Sequence, residues 1–314
     1  MTFRSRAMPE SHASPPLVVW VVSDNKPGHL NQSLGLADAL GRATLTTLHT
    51  IPAFSIWRAV WALLLKRAPS QTALAPHLIL GAGHATHLTL LAVRRACGGR
   101  AVVLMKPSLP RNCFDLSILP QHDGVAADGR TVVTEGPLNR IRVSDTRSAH
   151  QGLMLIGGTS PHFAWDSAAI ELQIKSILAR TPDLSWTLTN SRRTPAEFLE
   201  QLPAHPNLTI VPHTATSPDW LPGQLARCGT VWVTPDSASM VFEALTAGAN
   251  VAVFDLPVNP RSRVGWTLSR LAEARRVTRF MHWCASGKLH PNLHPLAEAD
   301  RCARWILEWL KTKN

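Results

Sequence analysis

Tyrosine is absent from all 314 residues. The Tyr-x-x-x-Lys couple of short-chain reductases and epimerases therefore cannot be assembled. Asp-x-Asp is also missing, which counts against a metal-bridged diphosphate of the kind one large class of sugar transferases uses. No G-x-S-x-G turn supplies a nucleophile elbow. Cysteine is sparse: Cys97, Cys113, Cys228, Cys284 and Cys302 are scattered, odd in number and free of any C-x-x-C pair. A disulfide framework is not expected, and a reducing compartment is. His282, Cys284, His290 and His294 are ligand types at spacings that fit no common zinc pattern, so neither a metal nor a cofactor is expected. No apolar run reaches membrane-spanning length. Residues 1–16 carry Arg4 and Arg6 without an apolar segment, so they read as a disordered leader and not a signal peptide. Acidic residues are short in supply, 21 against 32 Lys and Arg, for a net charge of +11. Such a surface favours anionic partners, among them nucleotides, phosphorylated sugars and acidic lipid.

What is present is a repeated pattern of short apolar strands that exit into polar loops and then helices, the signature of doubly wound α/β domains. Residues 17–22 form a continuous apolar strand that opens into Ser23, Asp24, Asn25, Lys26, Pro27, Gly28 and His29. Asn31 and Gln32 follow at the start of a helix. Gly28 permits close backbone approach, Lys26 is a cation suited to phosphate, and His29 can act as a base near neutral pH. A third strand at 77–80 exits through Gly81, Ala82, Gly83 and His84. A dinucleotide fingerprint would require glycine at 86, where Thr86 stands, so a nicotinamide or flavin site is not supported. A fourth strand, 101–105, ends in Lys106. Between these lies a helix at 54–67 bearing Phe54, Trp57, Trp61, Leu64 and Leu65 beside Arg58, Lys66 and Arg67. That mixture suits a membrane interface, but doubly wound folds bury such faces routinely, so a core helix is expected.

Apolar content falls around 144–151, which sets the expected boundary between a domain at 17–143 and another at 152–295, with a hinge near 140–152. A C-terminal helix at 296–314 is expected to pack back on the first domain. In the second half, a strand at 153–156 exits into Gly157, Gly158 and Thr159. Another, at 186–188, exits into Thr189, Asn190, Ser191, Arg192 and Arg193, just before a helix expected to start at Pro195, and paired guanidiniums there suit phosphate oxygens. His213 follows the strand at 208–211. The strand at 231–234 leads into Pro235, Asp236 and Ser237, then a helix with Ser239, Met240 and Glu243, closed by Gly248. Asp236 and Ser237 are the types that cap helices. A helix N-terminus at a strand exit attracts anions, and Glu243 two turns further in suits paired ribose hydroxyls.

Four blocks in order, SDNKPGHLNQSLGLADAL at 23–40, LIGGTSPHFAWD at 155–166, TNSRRTP at 189–195 and VTPDSASMVFEALTAG at 233–248, resemble the ELM1-like family. Its members are known as mitochondrial fission ELM1 proteins and, in bacteria, are grouped with glycosyltransferases. One departure is Asn25, where the family more often has glycine. The resemblance implies the GT-B architecture, two Rossmann-like parallel-sheet domains facing a cleft. It also implies an inverting, metal-independent glycosyltransferase that takes a nucleotide-sugar donor. On this reading His29 is the base and Asp24 its orienter or replacement. Gly157, Gly158, Thr159, Thr189, Ser191, Arg192, Arg193 and His213 hold the phosphates and nucleotide, while Asp236, Ser237, Ser239, Met240 and Glu243 hold sugar and ribose. Lys26, Gly28, Asn31, Gln32, Gly83, His84 and Lys106 line the acceptor side. The expected acceptor is a glycolipid or saccharide of the cell envelope, of lipopolysaccharide type. The expected place is the cytoplasm, with an anionic inner-membrane surface as a partner and no nucleic acid. The alternative is a non-enzymatic adaptor, since plant ELM1 proteins are linked to recruiting a dynamin-like protein in organelle fission.

Overall fold

The structure, a computed structural model, describes residues 15–67 and 74–312. The leader expected at 1–16 thus lies, but for its last two residues, outside the described residues, as do residues 313–314 of the C-terminal helix. Two six-stranded sheets carry the fold. The first contains β1 (Leu17–Ser23), β2 (Thr46–Pro52), β3 (Leu78–Ala82), β4 (Arg100–Leu104), β5 (Leu116–Pro120) and β6 (Thr131–Thr134), with helices α1 (Pro27–Ala43), α2 (Ile56–Leu65) and α3 (His87–Cys97) between them. The second contains β7 (Ser148–Leu155), β8 (Ser185–Thr189), β9 (Leu208–Val211), β10 (Cys228–Val233), β11 (Asn250–Val253) and β12 (Thr278–Arg279). Its helices are α4 (Ser167–Arg180), α5 (Phe198–Gln201), α6 (Trp220–Leu225), α7 (Ala238–Ala247), α8 (Arg263–Glu273) and α9 (Phe280–Ser286), followed by α10 (Glu298–Lys311). Contacts cluster into two compact units that divide inside β5. One comprises residues up to Ser117 together with Ala303–Asn314, the other Ile118–Cys302.

Strand order decides where ligands can be held. The first sheet runs β2-β1-β3-β4-β5-β6 and the second β12-β11-β10-β7-β8-β9. The ladders from β1 to β2 and β3, and from β7 to β8 and β10, are parallel. Each order reverses direction once, between β1 and β3 in the first sheet and between β7 and β10 in the second. At such a switch point the two strand-exit loops turn to opposite faces and leave a crevice beyond the carboxyl ends.

Continuous apolar runs form the central strands, among them β1, β3, β4, β10 and β11, because both of their faces are covered. Alternation then sorts side chains by face. Leu153, Leu155, Val231, Val233, Val251 and Val253 enter one core, while Met154, Ile156, Trp232, Ala252 and Phe254 enter another on the opposite side of the second sheet. In the first sheet Val18, Trp20, Val22, Ile79 and Val103 share a core with Leu90 and Val93 of α3.

Three details differ from the sequence expectations. The short strands β6 and β12 lack a sustained apolar run and were not anticipated. The helix after Pro195 is a single turn, α5, because Pro203 follows it closely. The third concerns α2, expected as a core helix. Only Ala59 and Ala62 are buried, against α3, while Trp57 is 77% exposed, Trp61 59% and Leu64 68%. The buried side of the helix carries these two small residues with Leu63 half-buried beside them, while most of its large side chains face outward.

Candidate functional site

In the first unit, the loop after β1 is held by its own side chains. Asn25 has φ of +62°, the left-handed region, which explains the position's association with glycine and why asparagine, tolerant of that region, can stand there. The Asn25 N–H donates to Ser23 Oγ at 3.1 Å and the Lys26 N–H to Asp24 Oδ1 at 3.2 Å. Pro27 then starts α1 with φ already set for a helix. One turn on, His29 Nδ1 lies 2.8 Å from Asp24 Oδ2. The side chains are 20% and 4% exposed, respectively.

Burial acts to raise the Asp24 pKa, but the His29 hydrogen bond, the Lys26 N–H and the nearby positive charges outweigh it, and the net shift is downward. Asp24 is therefore a carboxylate at neutral pH and must be the acceptor. His29 Nδ1 carries the proton, and in the neutral ring Nε2 bears the lone pair. No partner engages Nε2 among the described residues.

Gly83, at the β3 exit, closes on this pair across the switch point. A Cβ there would overlap the His29 ring, and its φ is +85°. Thr86 Oγ1 fixes the turn by donating to the Gly83 carbonyl at 2.8 Å. Gln32 Nε2 donates to Met105 Sδ at 3.3 Å, tying α1 to the β4 exit. Asp24, His29 and Gln32 from the β1 exit, Gly83 from the β3 exit and Met105 from the β4 exit are thus brought together. Lys26, Gly28, His84 and Lys106 are exposed around them, and Asn31 is half-buried.

The second unit builds a denser knot at its own switch point. Gly157 and Gly158 follow β7 and pass so close to the neighbouring exits that a Cβ on Gly157 would strike the Asp236 carboxylate and one on Gly158 the Arg193 carbonyl. The Gly157 N–H donates to Thr234 Oγ1 at 2.7 Å and the Gly158 N–H to Asp236 Oδ2 at 3.0 Å. The Gly157 carbonyl accepts from the hydroxyls of Ser191 and Thr194. Arg193 Nη2 pairs with Asp236 Oδ2 at 2.8 Å, and the Thr159 N–H donates to the Arg193 carbonyl at 3.1 Å. These two glycine amides, expected to face phosphates, are thus engaged by protein oxygens.

Asp236 does not cap α7. Its side chain is 1% exposed, one oxygen holds Gly158 and Arg193, and the other, Oδ1, is buried without a partner. Ser237 occupies the cap position but makes no side-chain cap bond, and among the described residues no side chain is seen on the first-turn N–H groups of α7. Ser239 is exposed there, while Ser237, Met240 and Glu243 are half-buried. Arg192 is exposed and makes no hydrogen bond or ion pair among the described residues. Thr189 Oγ1 is buried without a partner. His213 rests its N–H and its Nδ1 on Asn190 Oδ1, at 2.8 and 3.1 Å, leaving Nε2 as the acceptor.

Thr234, Thr194 and Asn190 were not singled out from the sequence. Their signal is positional, since each lies within two residues of a selected residue on a strand exit, but only strand register shows that they meet. Among the described residues no cluster of His, Cys, Asp and Glu is placed to hold a metal, and no helix is long and apolar enough to cross a membrane.

The sequence profile of the family "Mitochondrial fission ELM1" matches residues 27–310. An uncharacterized protein of Rickettsia prowazekii (strain Madrid E) is 31% identical over 115 residues, 33% of this chain and 32% of that protein. The match spans about a third of that relative's length. Among solved structures, a Listeria monocytogenes protein described as a UDP-N-acetylglucosamine 2-epimerase superposes with a TM-score of 0.64 at 10% identity, covering 95% of this chain and 97% of its own. MnaA of S. aureus, solved with UDP, gives 0.56 at 11% identity over 94% and 96%. The glycotransferase of kitacinnamycin gives 0.56 at 14% over 95% and 100%. At these identities the likeness establishes the fold, GT-B, and nothing of the reaction.

Proposed function

The chain belongs to the mitochondrial fission ELM1 family, and from that premise we propose that it is an inverting, metal-independent glycosyltransferase acting on a nucleotide-sugar. The observation that carries this reading is the Asp24–His29 pair, a buried carboxylate orienting an imidazole whose Nε2 is left to a substrate. In the transfer, His29 Nε2 takes the proton of the acceptor hydroxyl as its oxygen attacks the anomeric carbon of the donor. The bond from that carbon to the diphosphate breaks, and the nucleoside diphosphate leaves with the electron pair. One displacement inverts the anomeric centre. Asp24 stabilises the imidazolium that forms, as carboxylates do beside catalytic histidines.

Arg192 and the uncapped amides at the start of α7 supply the positive groups a leaving diphosphate needs. In this scheme Asp236, Gly157, Gly158, Thr159, Ser191 and Arg193 shape that anion site by fixing its loops. Thr189, His213, Ser237, Ser239, Met240 and Glu243 are assigned to the base, ribose and sugar. Lys26, Gly28, Asn31, Gln32, Gly83, His84 and Lys106 flank the acceptor, which we propose to be a cell-envelope glycolipid or saccharide of lipopolysaccharide type.

A thermal-shift screen of nucleotide-sugars, followed by a transfer assay with and without chelator, tests the reading. A donor that raises the melting temperature and supports chelator-resistant transfer, with the anomeric configuration inverted by NMR, is the expected result. Failure of every donor to bind or react sinks it and leaves the adaptor reading in its place.

A further inference from the structure

Among the described residues, the exposed large apolar side chains are concentrated on the outward face of α2. Ile56, Trp57, Trp61, Leu64 and Leu65 are each at least 59% exposed on a helix of ten residues. At 100° per residue they fall within one half of its circumference, opposite the Ala59 and Ala62 that seat it on α3. An exposed apolar surface of this kind marks an interaction site.

The charges around it are of one sign. Arg58 flanks the stripe, its guanidinium held 5.0 Å above the Phe54 ring, and Lys66 and Arg67 follow the last turn, all three exposed. From residue 39 to 114 the chain holds no Asp or Glu and nine Lys and Arg. The imbalance is a property of this unit: its residues include 15 Lys and Arg against 5 Asp and Glu, whereas the other unit has 17 against 16. Nearly all of the net charge of +11 is therefore carried on the side of the chain that bears α2.

We propose that α2 docks the protein on an anionic lipid surface. Tryptophans lie at the depth of the headgroups, the leucines and Ile56 enter the acyl boundary, and Arg58, Lys66 and Arg67 meet lipid phosphates. A second copy of the chain is a poorer occupant, because it would bring an equally cationic unit against this one. The inference is independent of the transfer chemistry, so a His29→Ala variant should bind lipid as the parent does.

Flotation of the full chain with vesicles of phosphatidylglycerol and phosphatidylcholine, or of phosphatidylcholine alone, is the test. Binding should be confined to the anionic vesicles and should weaken as sodium chloride rises from about 0.1 to 0.5 M, where screening shortens to a few ångströms. Replacing Trp57, Trp61 and Leu64 with serine should lower the affinity at least tenfold while circular dichroism stays unchanged, these side chains being outside the core. Should that variant fold poorly, Lys66→Glu with Arg67→Glu reads the electrostatic part alone and should also lower binding at least tenfold. Equal binding to neutral vesicles, or binding unaffected by both variants, overturns the proposal. So does a parent protein that ignores vesicles but dimerises by light scattering through the same face, which would assign α2 to a second copy.

Discussion

Gly83 and His29 occupy one space. A Cβ on Gly83 would overlap the imidazole, and the Gly83 backbone has φ of +85° and ψ of 152°, a region almost confined to glycine that costs other residues roughly 1–3 kcal/mol. Gly83→Ala should therefore lower stability by at least that amount, the overlap with the ring adding to the backbone cost. It should also displace His29 and reduce transfer about 10²-fold, the effect expected when a catalytic group is misplaced by an ångström, with nucleotide affinity unchanged by calorimetry. A variant with full transfer activity would mean that the His29 position is immaterial.

Loss of His29 itself should be more severe in rate. His29→Ala should lower turnover by roughly 10²–10⁴-fold and leave donor affinity nearly the same. The pH–rate profile should lose its acidic limb in that variant. Asp24→Asn, which keeps the shape but removes the charge, should reduce turnover while a limb persists at lower pH, because the imidazolium has lost its counter-charge. The reverse pattern would make Asp24 the base.

The two adjacent arginines should behave differently. Arg193 pairs with a carboxylate that is 1% exposed, so Arg193→Ala should cost about 1–3 kcal/mol of stability, measured by urea unfolding, for a buried carboxylate left without its counter-charge and with the Gly158 N–H as its remaining donor. Arg192 makes no such contact. Arg192→Ala should leave stability within about 0.5 kcal/mol of the parent but weaken nucleotide binding by about 1.5–3 kcal/mol. Equal effects of the two substitutions on stability would contradict this division.

Asp24 also sets a pH dependence. Its pKa is lowered from 3.8 in the folded state, so the stabilisation it confers is complete above that value and is lost as pH falls through the lower one. Asp24→Asn should remove this contribution. Urea midpoints of parent and variant, compared from pH 6 to pH 3, should differ most at pH 6 and converge towards pH 3. A gap that widens on acidification would refute the assignment.

The strands and most helices were legible because burial on both faces demands continuous apolar runs, and residues 17–22 and 231–234 carry them without ambiguity. Loop content was legible too: Asp24 and His29 stand five residues apart, close enough for one helical turn to join them. Gly83, Thr234 and Thr194 are different, because their roles arise where strands distant in sequence become neighbours, as β1 with β3 and β7 with β10. Composition could not decide whether Gly157 and Gly158 face a ligand or their own chain, since either needs the same absence of a side chain. Nor could periodicity decide the fate of α2. Its apolar side chains were written in the sequence, but whether they turn inward or outward depended on Ala59 and Ala62 being the pair that α3 accepts, a matter of packing between elements that no local pattern encodes.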